Sequence, residues 1–277
     1  MFSFLSEILQ KNHINCFGIL PLSACRITKP YLLEKASIRE GSVILFAVPY
    51  FTPACEDPNR NVSAYAVGRN YHSFFDSLYQ SILPQLEKAY PENRFVGFAD
   101  HSPIAEVEAA ARAGLGKIGK NGLLLTERYS SYVFLGEIIT DILCSSEVHD
   151  LTFCEDCGLC RQICPIRECG VCLSALTQKK GILTASESAS IQKFGSAWGC
   201  DLCQEVCPYT RQAKERGTIY TPILYFYEKT IPHLTRSILD EMEDDFFAER
   251  AYSWRRRETV RRNLILLEEE HKEGEHR

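Results

Sequence analysis

Apolar positions change their period several times along the chain, and each change marks an element. Phe2, Leu5 and Leu9 recur at helical spacing, which predicts a helix over Phe2–Gln10. Ser42–Pro49 is a compact run rich in β-branched residues, bounded by Gly41 and Pro49, as a buried strand is. Phe74, Phe75, Leu78, Ile82 and Leu86 fall on one side of a helix over Tyr71–Tyr90, with Pro84 placed to kink or split it. Phe95–Ala99 is a second, shorter strand candidate. Ile104–Ala113 is rich in Ala and Glu and stops at Gly114, the pattern of a helix. Leu123–Thr126 and Tyr132–Thr140 read as further strands. Residues 1–150 are therefore expected to form a mixed α/β domain, 151–210 a cysteine-rich module, and 211–277 a polar helical extension that frays from Glu268 onward.

The length of 277 residues allows one large domain or two small ones. With 45% hydrophobic and 24% charged residues, the chain is neither disordered nor collagen-like. Its longest apolar runs, such as Val43–Tyr50, fall far short of the ~20 residues that span a bilayer, so no membrane association is expected. Met1–Lys11 has no basic n-region and no small-residue cleavage site, which predicts a cytoplasmic protein without a signal peptide. Acidic residues exceed basic ones by 36 to 31, and this balance alone does not favour nucleic acid as a partner.

Cysteine changes the picture. Of 13 cysteines, nine lie between Cys154 and Cys207; the other four, Cys16, Cys25, Cys55 and Cys144, read as small buried hydrophobes. Clustered thiols in a chain without signs of secretion point to metal rather than to disulfides. Cys154-Glu-Asp-Cys157-Gly-Leu-Cys160-Arg-Gln-Ile-Cys164-Pro165 is the C-x2-C-x2-C-x3-C-P run of bacterial ferredoxins, whose fourth cysteine serves the other cluster in two-cluster proteins. Cys200-Asp-Leu-Cys203-Gln-Glu-Val-Cys207-Pro208 supplies three more thiols. Two four-iron clusters need eight ligands. Cys154, Cys157, Cys160 and Cys207 serve one; Cys164, Cys200, Cys203 and either Cys169 or Cys172 serve the other. Zinc, which closes at four ligands and favours paired C-x2-C knuckles, suits the triple spacing less well.

Gly114-Leu-Gly116-Lys-Ile-Gly119 matches G-x-G-x-x-G, but a helix precedes it and a strand follows. That order is the reverse of a dinucleotide fold, so the glycines are expected to let a turn approach a flat ligand instead.

Several segments carry a resemblance. Asp100-His-Ser-Pro103-Ile-Ala-Glu106, Ala113-Gly-Leu-Gly-Lys-Ile-Gly-Lys120-Asn121, Tyr132-Val-Phe-Leu-Gly136-Glu137-Ile-Ile-Thr140-Asp141, both cysteine runs and Gly199-Cys-Asp201 together resemble the epoxyqueuosine reductases, from about Leu32 to Asn263. The resemblance implies an α+β fold: a nitroreductase-like, cobalamin-binding α/β core with a ferredoxin-like double-cluster module and a short helical C-terminal tail. It implies two [4Fe-4S] clusters and cobalamin as cofactors, and conversion of epoxyqueuosine to queuosine at the wobble position of tRNA. Asp100 matches the family's catalytic acid, and Cys172-Leu-Ser-Ala-Leu-Thr177 makes Cys172 the eighth cluster ligand. Tyr65-Ala-Val-Gly-Arg69-Asn70-Tyr71-His72 is similar to the family's Arg-Asp-Tyr-His stretch, with Asn70 in the place of Asp. Arg69, His72, Lys117, Lys120 and Asn121 are the corrin contacts it implies. Longer members carry C-terminal helical repeats that help hold tRNA, and this chain departs from them after Arg262-Asn263.

The chemistry is coherent with these residues. Opening an epoxide to an alkene takes two electrons and a proton for the departing oxygen; clusters carry electrons singly, and a carboxylic acid can supply the proton. Asp100 reads equally as an N-cap for the Ile104–Ala113 helix. Trp254-Arg255-Arg256-Arg257 with Arg261-Arg262 reads as a solvated helix face or as a tRNA-backbone contact. An electron donor such as a ferredoxin or flavodoxin is implied. Two other readings remain at this level: a corrinoid-dependent reductase of another small substrate, and a plain ferredoxin-type electron carrier.

Overall fold

A computed structural model of the chain describes residues 2–165 and 170–274. The chain forms two compact units, each assembled from separate stretches. Met1–Tyr50, Phe74–Gly158 and Pro208–Ile223 make the first; Phe51–Ser73, Leu159–Cys207 and Leu224–Arg277 make the second.

The first unit is built on an antiparallel sheet. Its strands are β1 (Cys16–Pro21), β2 (Ser42–Pro49), β3 (Phe95–Phe98) and β6 (Val133–Thr140), in the order β1-β2-β6-β3. β4 (Lys117–Ile118) and β5 (Leu124–Leu125) form a separate hairpin. The helices of this part of the chain are α1 (Phe2–Lys11), α2 (Pro30–Ala36), α3 (Tyr71–Ala89) and α4 (Glu106–Arg112). β2 is buried along its whole length because it lies between β1 and β6 and is covered on both faces. On one face Val43, Leu45 and Ala47 join Ile139 of β6 and the alanine stripe Ala109, Ala110 and Ala111 of α4 in one core. On the other, Phe46 meets Phe75 and Tyr79 of α3, with ring centroids 6.2 and 6.4 Å apart. Gly136 of β6 belongs to that second face: a Cβ there would come within 2.4 Å of Phe75. Strand alternation then turns the next residue, Glu137, into the α4 layer.

The second unit is mostly helical. It carries α5 (Leu159–Ile163), α6 (Leu173–Thr177), α7 (Ala185–Phe194) and α8 (Leu202–Glu205). Beyond α9 (Pro208–Glu215) of the first unit come α10 (Arg236–Glu241), α11 (Asp244–Ala248) and α12 (Arg256–Gly274). α7 opens with a capping box, in which Thr184 accepts from the Glu187 N–H and the Glu187 carboxylate accepts from the Thr184 N–H, and it ends on left-handed Gly195. Leu173, Leu176 and Ile191 form a small core with Phe194, Cys200, Leu266 and Leu267 against them.

The α+β class is as expected, with three local differences. α3 is one helix containing Pro84; it does not split there. α4 begins at Glu106, two residues later than its composition indicates. β1 lacks the alternation that marks a strand and owes its conformation to pairing with β2.

Candidate active site and cysteine centres

β3 delivers the chain into a tight loop at Asp100. This residue is exposed and left-handed, with φ of 64°, a conformation that Asp tolerates better than most side chains. The loop is fastened to residues 26–29: the Thr28 and Lys29 N–H groups donate to the Pro103 carbonyl, and the Ala105 N–H donates to the Arg26 carbonyl. Tyr31 and His101 close it with a 2.9 Å side-chain hydrogen bond. Asp100 does not cap α4. The N-cap is Ala105, with no side-chain cap, because the chain makes a further turn between Asp100 and the helix.

Two more carboxyl groups stand behind Asp100. The half-buried Glu106 carboxylate accepts from the Asp100 backbone N–H, and its pKa is raised to about 7 by burial and then by the neighbouring Asp100 charge. Glu137 is fully buried on central strand β6, where burial and then Glu106 push its pKa well up. Among the described residues, no donor meets either Glu137 carboxyl oxygen at hydrogen-bonding geometry, although Ser102 and Glu106 stand close by. The Tyr79 phenol donates to the backbone carbonyls of Phe98 and Glu137. Next to Glu106 lies an open apolar depression of about 490 Å³, lined in part by Val107, Ile118, Leu151 and Phe153. Sequence reasoning singled out Asp100 and held Glu106 and Glu137 as the next carboxylates to test, without grouping the three. A glutamate inside the strand Val133–Thr140 was the available signal.

The cysteine loops are shaped by backbone as much as by thiols. Asp156 and Gly158 both take positive φ, 50° and 79°, which curls the run from Cys154 to Cys160. The segment before it docks on the β4–β5 hairpin: the Cys154 N–H donates to the Ile118 carbonyl, and the Lys120 N–H donates to Cys154 Sγ at 3.4 Å. In the second unit α5, which carries Cys160 and ends just before Cys164, packs on α8, which carries Cys203. Cys172 and Cys203 lie near enough to Cys200 to add to the burial that pushes its thiol up to about 12. The loop of Cys200 and Cys203 is anchored by Asp201, which is buried. Asp201 accepts from Ser63 Oγ, the Ala64 N–H and Arg60 Nη1 at 2.6 Å each. Cys169 lies outside the described residues. Among the described residues, no three His, Cys, Asp or Glu side chains converge as ligands of a single metal ion. Of the four isolated thiols, Cys25 and Cys55 are buried as expected, whereas Cys16 and Cys144 are only half-buried.

The expected corrin contacts have other partners here. Lys117 reaches Tyr209 at 3.3 Å and Glu155 at 3.7 Å, and Lys120 pairs with Asp156 at 3.2 Å, so both lysines engage the first cysteine loop. Asn121 accepts from the Leu123 N–H and shapes the hairpin turn. Arg69 pairs with Glu228 at 2.8 Å and lies 4.4 Å from the centroid of Tyr225. The Asn70 side chain accepts from the His72 N–H at the start of α3, a capping role that Asp would fill equally. The G-x-G-x-x-G run follows helix α4, contains β4 and precedes β5, which excludes the dinucleotide arrangement. Its close approach is to the chain itself, since a Cβ on Gly116 would meet the Leu125 carbonyl at 2.3 Å. The basic run is largely committed as well. Arg257 donates to the Leu239 and Met242 carbonyls, Arg261 pairs with Asp240, and Arg262 donates to the Lys179 and Gly181 carbonyls. Among the described residues, no helix is long and apolar enough to cross a membrane.

No family model matches the chain. A curated relative from Synechocystis sp., an epoxyqueuosine reductase, is 33% identical over 197 residues, 65% of this chain and 68% of that protein. Another of the same name from Lactococcus garvieae is 28% identical over 252 residues, 84% of this chain and 70% of the relative. The solved epoxyqueuosine reductase from Streptococcus thermophilus superposes with a TM-score of 0.75 at 22% identity, covering 98% of this chain and 81% of that one. A crystal structure of an epoxyqueuosine reductase with an epoxyqueuosine-modified tRNA stem loop superposes with a TM-score of 0.74 at 21% identity, over 96% and 81% of the two chains.

Proposed function

The chain belongs to the epoxyqueuosine reductase family, and from that premise we propose that it is an oxidoreductase converting epoxyqueuosine to queuosine in tRNA. The observation that carries this reading is Asp100: an exposed carboxyl on a fastened, left-handed loop beside an apolar depression, backed by buried carboxyl groups. Asp100 is the proton donor to the departing epoxide oxygen. A tRNA substrate makes the reaction cytoplasmic, and a ferredoxin or flavodoxin supplies the reducing equivalents.

The residues present fit the cofactors of this reaction. The curled Cys154–Cys160 run, the Lys120 N–H on Cys154 and the grouping of Cys172, Cys200 and Cys203 suit four-iron clusters. Cys154, Cys157, Cys160 and Cys207 are assigned to one cluster and Cys164, Cys172, Cys200 and Cys203 to the other. Ile27, Tyr31 and Phe153, all exposed around the carboxyl loop, suit the flat face of cobalamin on a nitroreductase-like core. When bound, the clusters supply single electrons and the corrin cobalt supplies reduction at carbon. The chain's part is to hold the acid in place and to keep its proton available.

The test is anaerobic reconstitution with iron, sulfide and cobalamin, followed by assay on tRNA that contains epoxyqueuosine. Formation of queuosine is expected. A fully loaded protein that leaves epoxyqueuosine untouched would overturn the assignment.

A further inference from the structure

Glu137 is the molecule's most conspicuous unused group. It is a fully buried glutamate in a central strand, between Leu45 and Phe98 as its cross-strand neighbours on β2 and β3. Packing alone would be served by an aliphatic side chain, and an ionised carboxylate without donors is far costlier there than a neutral acid.

The groups around it leave the neutral acid as the stable form. Tyr79 from α3 directs its phenol to backbone carbonyls. Cys25 is a neutral thiol, pushed up to about 12 chiefly by burial. Ser102 is uncharged, and its nearby hydroxyl favours the ionised form less than burial and Glu106 disfavour it. Asp100 and Glu106 are themselves carboxyl groups, and the cation that bears on Glu106 and Glu137 among the described residues is Lys29, whose favourable influence ranks last of those on Glu137. Glu106, by contrast, has what a carboxylate requires: the Asp100 N–H, the Glu137 hydroxyl within reach, and Lys29. The three carboxyl groups thus form a graded series, from exposed through half-buried to fully buried.

Resting on the reading of Asp100 as the acid, we propose that Glu106 and Glu137 form a carboxyl relay behind it, in which Glu137 stays protonated and Glu106 stores a second proton that it can pass to Asp100. In the proton balance, Asp100 gives its proton to the departing oxygen and becomes a carboxylate. The Glu106 acid passes its proton to Asp100 and is left as a carboxylate held by the Glu137 O–H and the Asp100 N–H. Solvent restores the Glu106 proton once product has left. Glu106 is then a positioning and proton-storing residue, and Glu137 sets its state.

The first test needs neither cofactor nor substrate. Infrared spectra of the chain at pH 8 are expected to show a protonated-carboxyl C=O band that is lost in Glu137→Gln, displaced in Glu137→Asp and retained in Asp100→Asn. A band unchanged in both Glu137 variants means an ionised Glu137 and overturns the relay. The second test compares single with repeated turnover on epoxyqueuosine-containing tRNA. Glu106→Gln is expected to keep single-turnover conversion within about threefold of wild type while repeated turnover falls at least about tenfold. Equal losses in both overturn the storage role. Failure of the reductase reading has a different signature: no queuosine from the loaded wild-type chain, whatever the infrared result.

Discussion

Asp100 combines two demands, a carboxyl group and a left-handed backbone, and single substitutions separate them. Asp100→Asn satisfies the backbone and is expected to fold normally while turnover drops by roughly 10²–10⁴-fold. Asp100→Gly relaxes the backbone and is expected to match wild-type thermal stability with the same loss of activity. Asp100→Ala adds a strain of about 1–2 kcal/mol, to be read from denaturant midpoints. Full activity in the Asn variant removes Asp100 from the chemistry. Asp201 answers to a different logic. It is a buried charge paired with Arg60 and bound by Ser63 and the Ala64 N–H, so Asp201→Ala leaves the Ser63 and Ala64 donors open while Arg60 keeps Glu205. The expected cost is about 1–3 kcal/mol, read from denaturant midpoints, with reduced iron content after reconstitution. The sequence named Asp100 through its motif. It was silent on why Asp201 follows Cys200, because the Asp201 partners at residues 60–64 are distant in sequence.

Among elements, those with strong periodicity were legible: β2, β6 and α3 lie where their apolar patterns placed them, and α4 starts within two residues of where its composition did. What pattern could not show was the use of the β4–β5 hairpin. Lys117 and Lys120 are residues of a glycine-flanked turn, and only the docking of residues 152–154 along β4 reveals that they address the first cysteine loop. Both cations, and the Lys120 N–H on Cys154, favour the more negative, reduced state of a cluster bound there. Lys117→Met with Lys120→Met is expected to lower that cluster's midpoint potential by on the order of tens of millivolts in a redox titration followed by EPR. An unchanged potential assigns the lysines to solvent. The proposed cysteine ligands rest on spacing, because a cluster imposes its own intervals on the chain.

For the molecule as a whole, the interleaving of two units was hidden in the sequence. Composition shifts along the chain, whereas residues 51–73 join 159–207 through hydrogen bonds such as those from the Ser63 N–H to the Trp198 carbonyl and from the Ala197 N–H to the Asn61 carbonyl. Global stability should carry the mark of the carboxyl site. Glu106 titrates near 7 in the folded chain and at an ordinary 4.5 when unfolded, so the folded state binds more protons between those values. Stability is therefore expected to fall as pH rises from about 4.5 to about 7, by at most about 3 kcal/mol, with Glu137 acting in the same direction. Denaturant titrations of wild type and Glu106→Gln check this, and an equal slope in both excludes Glu106 as its source. Iron analysis of the reconstituted protein is expected to give about eight irons per chain, reduced in Cys207→Ala. The side-chain amide of Asn263 has a consequence for biogenesis. It is buried in α12 and donates to the carbonyls of Thr177 and Ala197, on either side of α7, while the Thr177 hydroxyl accepts from the Gly199 N–H beside Cys200. Translation is directional, so every thiol of the second run leaves the ribosome before the clasp that will hold it. The tie between Thr177 and Ala197 can therefore form only once α12 has been synthesised, after the thiols it flanks.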